Sequence, residues 1–281
     1  MSQPQEILYH YTTQNGLLGI LKNRKIWATN ILFLNDSKEF NHTLELAMDF
    51  LKDGNSLAQQ DLHSTASNLF SHGPSVYVTS LTAKNDQLSQ WRGYCPNMGG
   101  FNIGFETKKL INLAKTQDFI LLPCNYDIEQ QKEIIKKSAK ITCDSLDQKL
   151  SLEHRSEGSF DIDSFLGEVG KTRLNYGLQL LLIAHYFKHP KFFEEEEWRL
   201  IYGLRNPKKK EIFFREGTSM VIPYVEFELS LAADEPLPIK EIVIGPTPNQ
   251  ELSKKSVEKL VMKYEISSCN VVLSEIPYRV W

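Results

Sequence analysis

The 281-residue chain has no long apolar run and no paired cysteines. Its most apolar stretch, LQLLLIAHYF, is interrupted by Gln179 and His185 and falls short of the ~20 residues needed to cross a bilayer. The first ten residues, MSQPQEILYH, have neither a basic start nor an apolar core, so no secretory signal is predicted. The four cysteines are far apart and form no CxxC pair, which favours free thiols in a reducing cytoplasm over a zinc site. We therefore expect a cytoplasmic protein without a membrane partner.

The chain also has no excess of positive charge. The net charge is −3, and the hydrophobic and charged fractions, 41% and 24%, are those of an ordinary globular protein. A nucleic-acid partner is possible, but it would have to be recognised by a local basic patch because the net charge does not favour one.

Alternating and helical patterns succeed one another along the whole chain without a linker or an internal repeat. ILYHYT, SVYVTSLT and EEEWRLIYGL predict strands, and KKKEIFFRE is the expected hairpin partner of the last of these. Residues 127–141 and 163–188 predict helices, and residues 146–160 predict a loop between them. The second helix has a predicted buried stripe of Leu174, Leu178, Leu181 and Leu182. We expect a single α+β domain over residues 1–281, with a mixed or antiparallel sheet and a helical insertion at about 127–188.

Two aromatic clusters are candidates for ligand binding. His10 lies in the first predicted strand, in LYHYT, where it could bind a sugar hydroxyl or could be a core histidine that bonds to backbone. SQWRGY brings Trp91, Arg92 and Tyr94 together after the strand SVYVTSLT. Such a cluster could stack a flat ring and bind phosphate, or Trp91 could pack in the core while Arg92 caps a helix.

The run KFFEEEEWRL places four consecutive glutamates after two aromatic residues. Because strand residues alternate between faces, Glu195, Glu197 and Arg199 should share one face, and Trp198 should lie on the other. Two carboxylates on one side of a strand end can have different catalytic roles. One can stabilise positive charge on a sugar ring, and the other can position an acceptor. The alternative is a solvated strand end at which Arg199 neutralises one acid.

Taken together, LYHYT, WATNILFLND, SQWRGY, GGFNIGFE, the ExEWR pattern and IVIGP resemble an uncharacterised bacterial family, the domain of unknown function numbered 2971. The resemblance extends from about Ile7 to Ile276 and implies no biochemistry.

A looser resemblance does imply chemistry. The order of a histidine in the first strand, an aromatic residue after the next strand and helix, and a glutamate in a late strand is similar to the ADP-ribosyltransferase superfamily. The resemblance implies an ADP-ribosyltransferase-like fold and NAD as substrate. It implies that His10, followed by Tyr11 and Thr12, contributes to the ribose and nicotinamide site. It also implies Glu197 as the catalytic carboxylate and Glu195 as the residue that positions the acceptor.

The second motif of that superfamily has several candidates here. Tyr94 is the preferred residue for stacking on nicotinamide, and Tyr77 is the alternative, with Ser80 just after it. Trp91 and Arg92 would add aromatic surface and a phosphate contact. Because the nicotinamide ring of NAD is already cationic, it leaves as a neutral molecule without being protonated, and no metal is expected.

The leading expectation is thus an enzyme that cleaves NAD and transfers ADP-ribose to an unknown acceptor or to water, of the kind used as a toxin or phage-defence effector. A nucleic-acid-binding or metal-dependent nucleic-acid-processing protein is a second hypothesis. It would use Arg92, Lys208, Lys209 and Lys210 on phosphate and the acids as metal ligands. A non-catalytic nucleotide-binding domain of the same fold is the third.

Overall fold

A computed structural model describes residues 5–34, 37–52, 56–72, 76–95, 99–153, 162–203, 210–232, 234–266 and 268–277. Within these residues the strands are β1 (Ile7–Thr12), β2 (Lys25–Asn30), β3 (Tyr77–Thr82), β4 (Phe101–Glu106), β5 (Phe119–Pro123), β6 (Glu197–Tyr202), β7 (Phe213–Glu216), β8 (Val221–Glu228), β9 (Ile239–Ile244) and β10 (Asn270–Leu273). The helices are α1 (Gln14–Asn23), α2 (Ser37–Leu51), α3 (Leu57–His72), α4 (Leu88–Tyr94), α5 (Thr107–Thr116), α6 (Ile128–Glu153), α7 (Ile162–Tyr186) and α8 (Gln250–Lys263). None of these helices is both long enough and apolar enough to cross a membrane.

The strands form one sheet in the order β10-β9-β4-β1-β3-β2-β8-β7, and β6 and β5 branch from β3. Among the described strands, β9 and β10 are the parallel pair, and the other pairs are antiparallel. The predicted α+β class with a mixed, largely antiparallel sheet is therefore confirmed.

The branch at β3 leaves a gap in the sheet. One edge of β3 pairs with β6 along its whole length. The opposite edge is divided, because β2 pairs with Tyr77 and Val78 whereas β1 pairs with Thr82. The His10 side chain bridges the space between these contacts through a hydrogen bond of 3.0 Å between Nδ1 and the Ser80 carbonyl oxygen. The cleft described below opens at this gap.

The two faces of β3 and β6 bury different cores. Tyr77, Leu81 and Leu200 belong to the main core, together with residues of α1, α5 and α8. Val78 and Ile201 face the opposite way and pack against the layer formed by α2, α3, α6 and α7. Burial of apolar surface on both faces fixes the register of these strands, since a shift by one residue would exchange the faces.

The acidic run forms less strand than predicted. Pro190 begins a 3-10 helix that extends to Glu195, and His189 caps it by accepting a hydrogen bond from the Lys191 N–H. Glu196 then adopts a left-handed conformation with φ 41°, so the strand begins only at Glu197. Proline favours such a first helical turn because its ring fixes φ.

Three other sequence-based predictions were wrong in detail. The strand β7 pairs with β8 rather than with β6. The helix α6 extends to Glu153, so much of the predicted loop at 146–160 is helical, and the rest lies outside the described residues. In α7 the predicted stripe is confirmed only in part, because Leu181 is buried whereas Leu174 is 63% exposed, and Tyr176 and Leu180 are fully buried instead. This helix packs against the helices α2, α3 and α6 and against β6, so its buried surface does not follow one simple stripe.

Candidate functional site

A cleft of about 370 Å³ lies at the gap between β1 and β2. Its walls include His10 from β1, Ser80 from β3, Tyr94 from α4 and Glu197 from β6. An adjoining hollow shares these four residues and adds, among others, Tyr11, Gln90 and Glu195. The cleft volume falls within the ~300–1,000 Å³ typical of small-molecule sites.

Glu197 is held at the cleft by four hydrogen bonds to its carboxylate. Its Oε1 accepts from Ser80 Oγ at 2.6 Å and from Arg199 Nε at 2.9 Å. Its Oε2 accepts from Lys188 Nζ at 2.6 Å and from Arg199 Nη2 at 3.1 Å. Burial alone would raise the pKa of Glu197, but the charges of Arg199 and Lys188 and their hydrogen bonds lower it to about 2. The carboxylate is therefore ionised at neutral pH and fixed in one orientation.

Lys188 joins the two acids that the sequence analysis singled out. Its ammonium group lies 2.5 Å from Glu195 Oε2 and 2.6 Å from Glu197 Oε2, and its side chain is only 2% exposed. The backbone of Lys188 is held by hydrogen bonds to the Asn125 carbonyl and from the Gln131 side chain. Glu195 and Glu197 thus converge although only Glu197 lies in the strand. The predicted pairing of Arg199 with one acid is also found, at 2.9 Å from Glu197.

His10 is neutral and has a defined tautomer. Because the Ser80 carbonyl can only accept, the proton of the hydrogen bond must be on His10 Nδ1. Burial lowers the pKa of His10 despite this hydrogen bond. The remaining ring nitrogen, Nε2, is then an acceptor at neutral pH, which suits a ligand hydroxyl group.

The aromatic candidates separate into one cleft residue and a supporting pair. Tyr94 is 40% exposed and lines the cleft, whereas Trp91 is 2% exposed. The Trp91 ring packs edge-on against Tyr11 with centroids 4.6 Å apart, and its indole N–H donates to Asp86 at 2.6 Å. A Cβ at Gly245 would lie 2.8 Å from the Trp91 ring, so the glycine of IVIGP makes room for it. Trp91 therefore anchors the helix that carries Tyr94.

Three other predicted residues, all within the described part of the chain, do not line the cleft. Tyr77 is buried in the main core beside Tyr202, on the face of β3 opposite to Ser80. Thr12 ends β1, and its carbonyl accepts a hydrogen bond from Cys95 Sγ at 3.4 Å. Arg92 is exposed on α4.

Several cleft residues were not predicted from the sequence, and three of them, Lys188, Trp27 and Arg215, bear on binding. Lys188 was assigned to the end of a helix, although a lysine a few residues before an acidic run was a usable signal. Trp27 is 44% exposed and alternates with buried Ile26 and Ala28, a pattern that marks an aromatic residue on an open strand face. Arg215 comes from β7, far along the chain, and nothing in the sequence links it to the other cleft residues.

Of the basic residues of the nucleic-acid hypothesis, the structure describes Arg92 and Lys210, and neither lines this cleft. Lys208 and Lys209 lie outside the described residues. The Lys210 ammonium donates to the Glu226 carbonyl at 2.9 Å and packs over the Phe119 ring, in a partly buried position that lowers its pKa. The described residues contain no group of three or more His, Cys, Asp or Glu side chains placed to hold a metal ion.

His185, beneath Arg199, should make the protein sensitive to acid. Its Nδ1 donates to the Leu181 carbonyl, and burial, aided by the Arg199 charge, lowers its pKa from 6.5 to about 3. Below pH 6.5 the unfolded chain binds a proton that the folded chain does not, so stability must fall with pH. For this residue we expect a loss of about 2 kcal/mol between pH 8 and pH 5.

Urea unfolding of the wild type and of His185→Asn at these two pH values measures this contribution. Asparagine can still donate to the Leu181 carbonyl but does not titrate, so the pH dependence of the variant should be smaller by about 2 kcal/mol. Equal pH dependence in the two proteins would contradict the assignment.

Comparison with known proteins finds a match to one family model and to no protein of known activity. Residues 90–200 match the family model described as a protein of unknown function (DUF2971). Neither the curated proteins nor the solved structures provide a match. The matched stretch extends from α4 to β6 and therefore includes Tyr94, Lys188 and Glu197, but not His10 or Ser80. The resemblance predicted from about Ile7 to Ile276 is thus supported over residues 90–200, where the chain is similar to that family of unknown function.

Proposed function

We propose that the cleft binds NAD and that the protein, with an ADP-ribosyltransferase-like fold, cleaves the bond between nicotinamide and ribose. The ADP-ribose passes to water or to an acceptor. The observation that carries this proposal is the convergence of His10, Tyr94 and Glu197 on one cleft at the break in the sheet. These residues come from β1, α4 and β6, so their meeting depends on the tertiary fold.

The reaction that fits the cleft breaks the C1′–N bond and forms a C1′–O bond. The bonding electrons leave with nicotinamide, whose ring nitrogen becomes neutral, so no acid is required. Positive charge develops on the ribose ring and must be stabilised. Glu197 supplies a carboxylate that is already ionised and oriented by Ser80, Lys188 and Arg199. A charge that needs no reorientation during the reaction is an effective form of catalysis.

Glu195 is suited to the incoming nucleophile. It is partly exposed and lines the hollow beside Glu197, and Lys188 holds its carboxylate. In the proposed mechanism Glu195 orients the attacking water or acceptor hydroxyl and accepts its proton as the C1′–O bond forms.

The remaining cleft residues fit the other parts of a nicotinamide riboside. Tyr94 offers an exposed ring for stacking on nicotinamide, and Trp27 adds a second ring on the wall formed by β2. His10 Nε2 is available to accept from a ribose hydroxyl because Nδ1 is bonded to Ser80. The cleft thus combines aromatic surface, one acceptor and one carboxylate.

Doubly labelled NAD tests the proposal. One label on nicotinamide and another on adenine are followed after incubation with the purified protein, with and without cell lysate. Release of nicotinamide without lysate indicates hydrolysis, and transfer of the adenine label to a lysate component indicates an acceptor. NAD that binds but stays intact in both incubations would favour the non-catalytic domain. Absence of NAD binding, together with metal-dependent cleavage of nucleic acid, would favour the second hypothesis.

A further inference from the structure

Arg215 differs from the other cations of the cleft because it has no acid partner among the described residues. Lys188 and Arg199, which also line the cleft, both contact Glu197. Among the described ion pairs none includes Arg215, and its contact is a hydrogen bond of 3.4 Å from Nη2 to Thr29 Oγ1. Its Nε is buried and has no hydrogen-bond acceptor within the described part of the chain.

A buried donor without an acceptor is costly for the free protein and is satisfied when a ligand supplies one. The described charges around the cleft, Lys188, Arg199 and Arg215 against Glu195 and Glu197, leave one net positive charge. Arg215 therefore makes the cleft attractive for an anion.

Arg215 and the carboxylate of Glu197 reach the cleft from opposite sides of β3. It lies on β7, with β8 and β2 between it and β3, whereas Glu197 lies on the opposite side of β3. Both side chains nevertheless line the same cleft, with Thr29 beside Arg215 and Gly217 and Thr218 following it in the β7–β8 hairpin. A ligand that fills the cleft can contact Glu197 with one part and Arg215 with another.

We infer that Arg215 binds the phosphate groups of the ligand, with its guanidinium making paired hydrogen bonds to phosphate oxygens. The inference rests on the proposed function for the identity of the carrier, because the pyrophosphate of NAD is one ribose away from the bond that Glu197 would cleave. The cleft then selects a phosphorylated nucleotide over its nucleoside.

Calorimetric titration of the wild type and of Arg215→Gln with ADP-ribose and with nicotinamide riboside tests this site. We expect the glutamine variant to bind ADP-ribose about 10- to 100-fold more weakly and nicotinamide riboside with unchanged affinity. Arg215→Lys should lie between the two because it keeps the charge but loses the planar fork. Arg173→Gln, which removes an arginine half exposed on α7, is the control for net charge and should bind as the wild type does.

Two results would overturn the phosphate site: ADP-ribose affinity that does not depend on Arg215, or no binding of ADP-ribose by the wild type. If Arg215→Gln does not fold, as judged by circular dichroism, the same comparison is made with Arg215→Lys. Failure of the proposed cleavage has a different signature. If NAD stays intact but ADP-ribose binding depends on Arg215, the phosphate site is supported and cleavage is rejected. If NAD is cleaved and Arg215→Gln has an unchanged KM for NAD, cleavage is supported and the phosphate site is rejected.

Discussion

Replacement of Glu197 by glutamine is expected to lower kcat for nicotinamide release from NAD by about 10²- to 10³-fold, the loss seen when one preorganised electrostatic group is removed. Glutamine has nearly the same shape and keeps an oxygen that can accept from Ser80 and Arg199, but it carries no charge to stabilise the ribosyl cation. The affinity for NAD should change only a few-fold, because the carboxylate acts mainly on the transition state. Rapid-quench measurement of nicotinamide, with calorimetry for binding, separates the two effects.

Glu194→Gln is the matched control for this variant. Glu194 lies in the 3-10 helix that precedes β6 and lines neither part of the cleft in the described structure, so its neutralisation should leave kcat within about twofold. Glu195→Gln should slow the reaction less than Glu197→Gln does. Glu195 acts on the incoming nucleophile, whereas Glu197 stabilises the positive charge on the ribose. Full activity of folded Glu197→Gln would contradict the proposed role.

Replacement of Lys188 by methionine is expected to lower the free energy of unfolding by about 3–5 kcal/mol, the cost of breaking a buried ion pair. Lys188 is 2% exposed and contacts both Glu195 and Glu197, so its loss leaves one negative charge in excess. The double variant Lys188→Met/Glu195→Gln restores charge balance, because Glu197 keeps Arg199 as its partner. It should therefore recover part of the lost stability.

Urea unfolding at pH 7 provides the measurement for this cycle. Lys132→Met removes a lysine from an exposed ion pair with Glu129 and should change stability by no more than about 0.5 kcal/mol. The cycle compares the single variants Lys188→Met and Glu195→Gln with the double variant. If the two losses of stability simply add in the double variant, Lys188 and Glu195 are not coupled, and the proposed charge balance is wrong.

The parts of the site that follow strand periodicity could be predicted from the sequence. Alternation placed Glu197 and Arg199 on one face and Trp198 on the other, because neighbouring side chains of a strand point to opposite sides. The same rule placed Glu195 beside Glu197, which is correct, but Glu195 does not lie in the strand. Pro190 makes this segment a 3-10 helix, and Lys188 brings the carboxylate back towards Glu197.

The parts that depend on distant contacts could not be predicted. The sequence offered Trp91 and Tyr94 as nearby aromatic residues, and which of them is buried depends on Gly245, Asp86 and Tyr11 around Trp91. The gap in the sheet arises because β1 and β2 share one edge of β3, and strand pairing of this kind leaves no local signal. Arg215 also depends on distant pairing, because β7 pairs with β8 and β8 pairs with β2.

A crystal structure of Glu197→Gln bound to NAD tests the proposed site most directly, since this variant should bind the dinucleotide without cleaving it. We expect nicotinamide against Tyr94, ribose C1′ beside residue 197 and the pyrophosphate at Arg215. NAD bound elsewhere on the protein, or an empty cleft at a saturating concentration of NAD, would contradict this expectation.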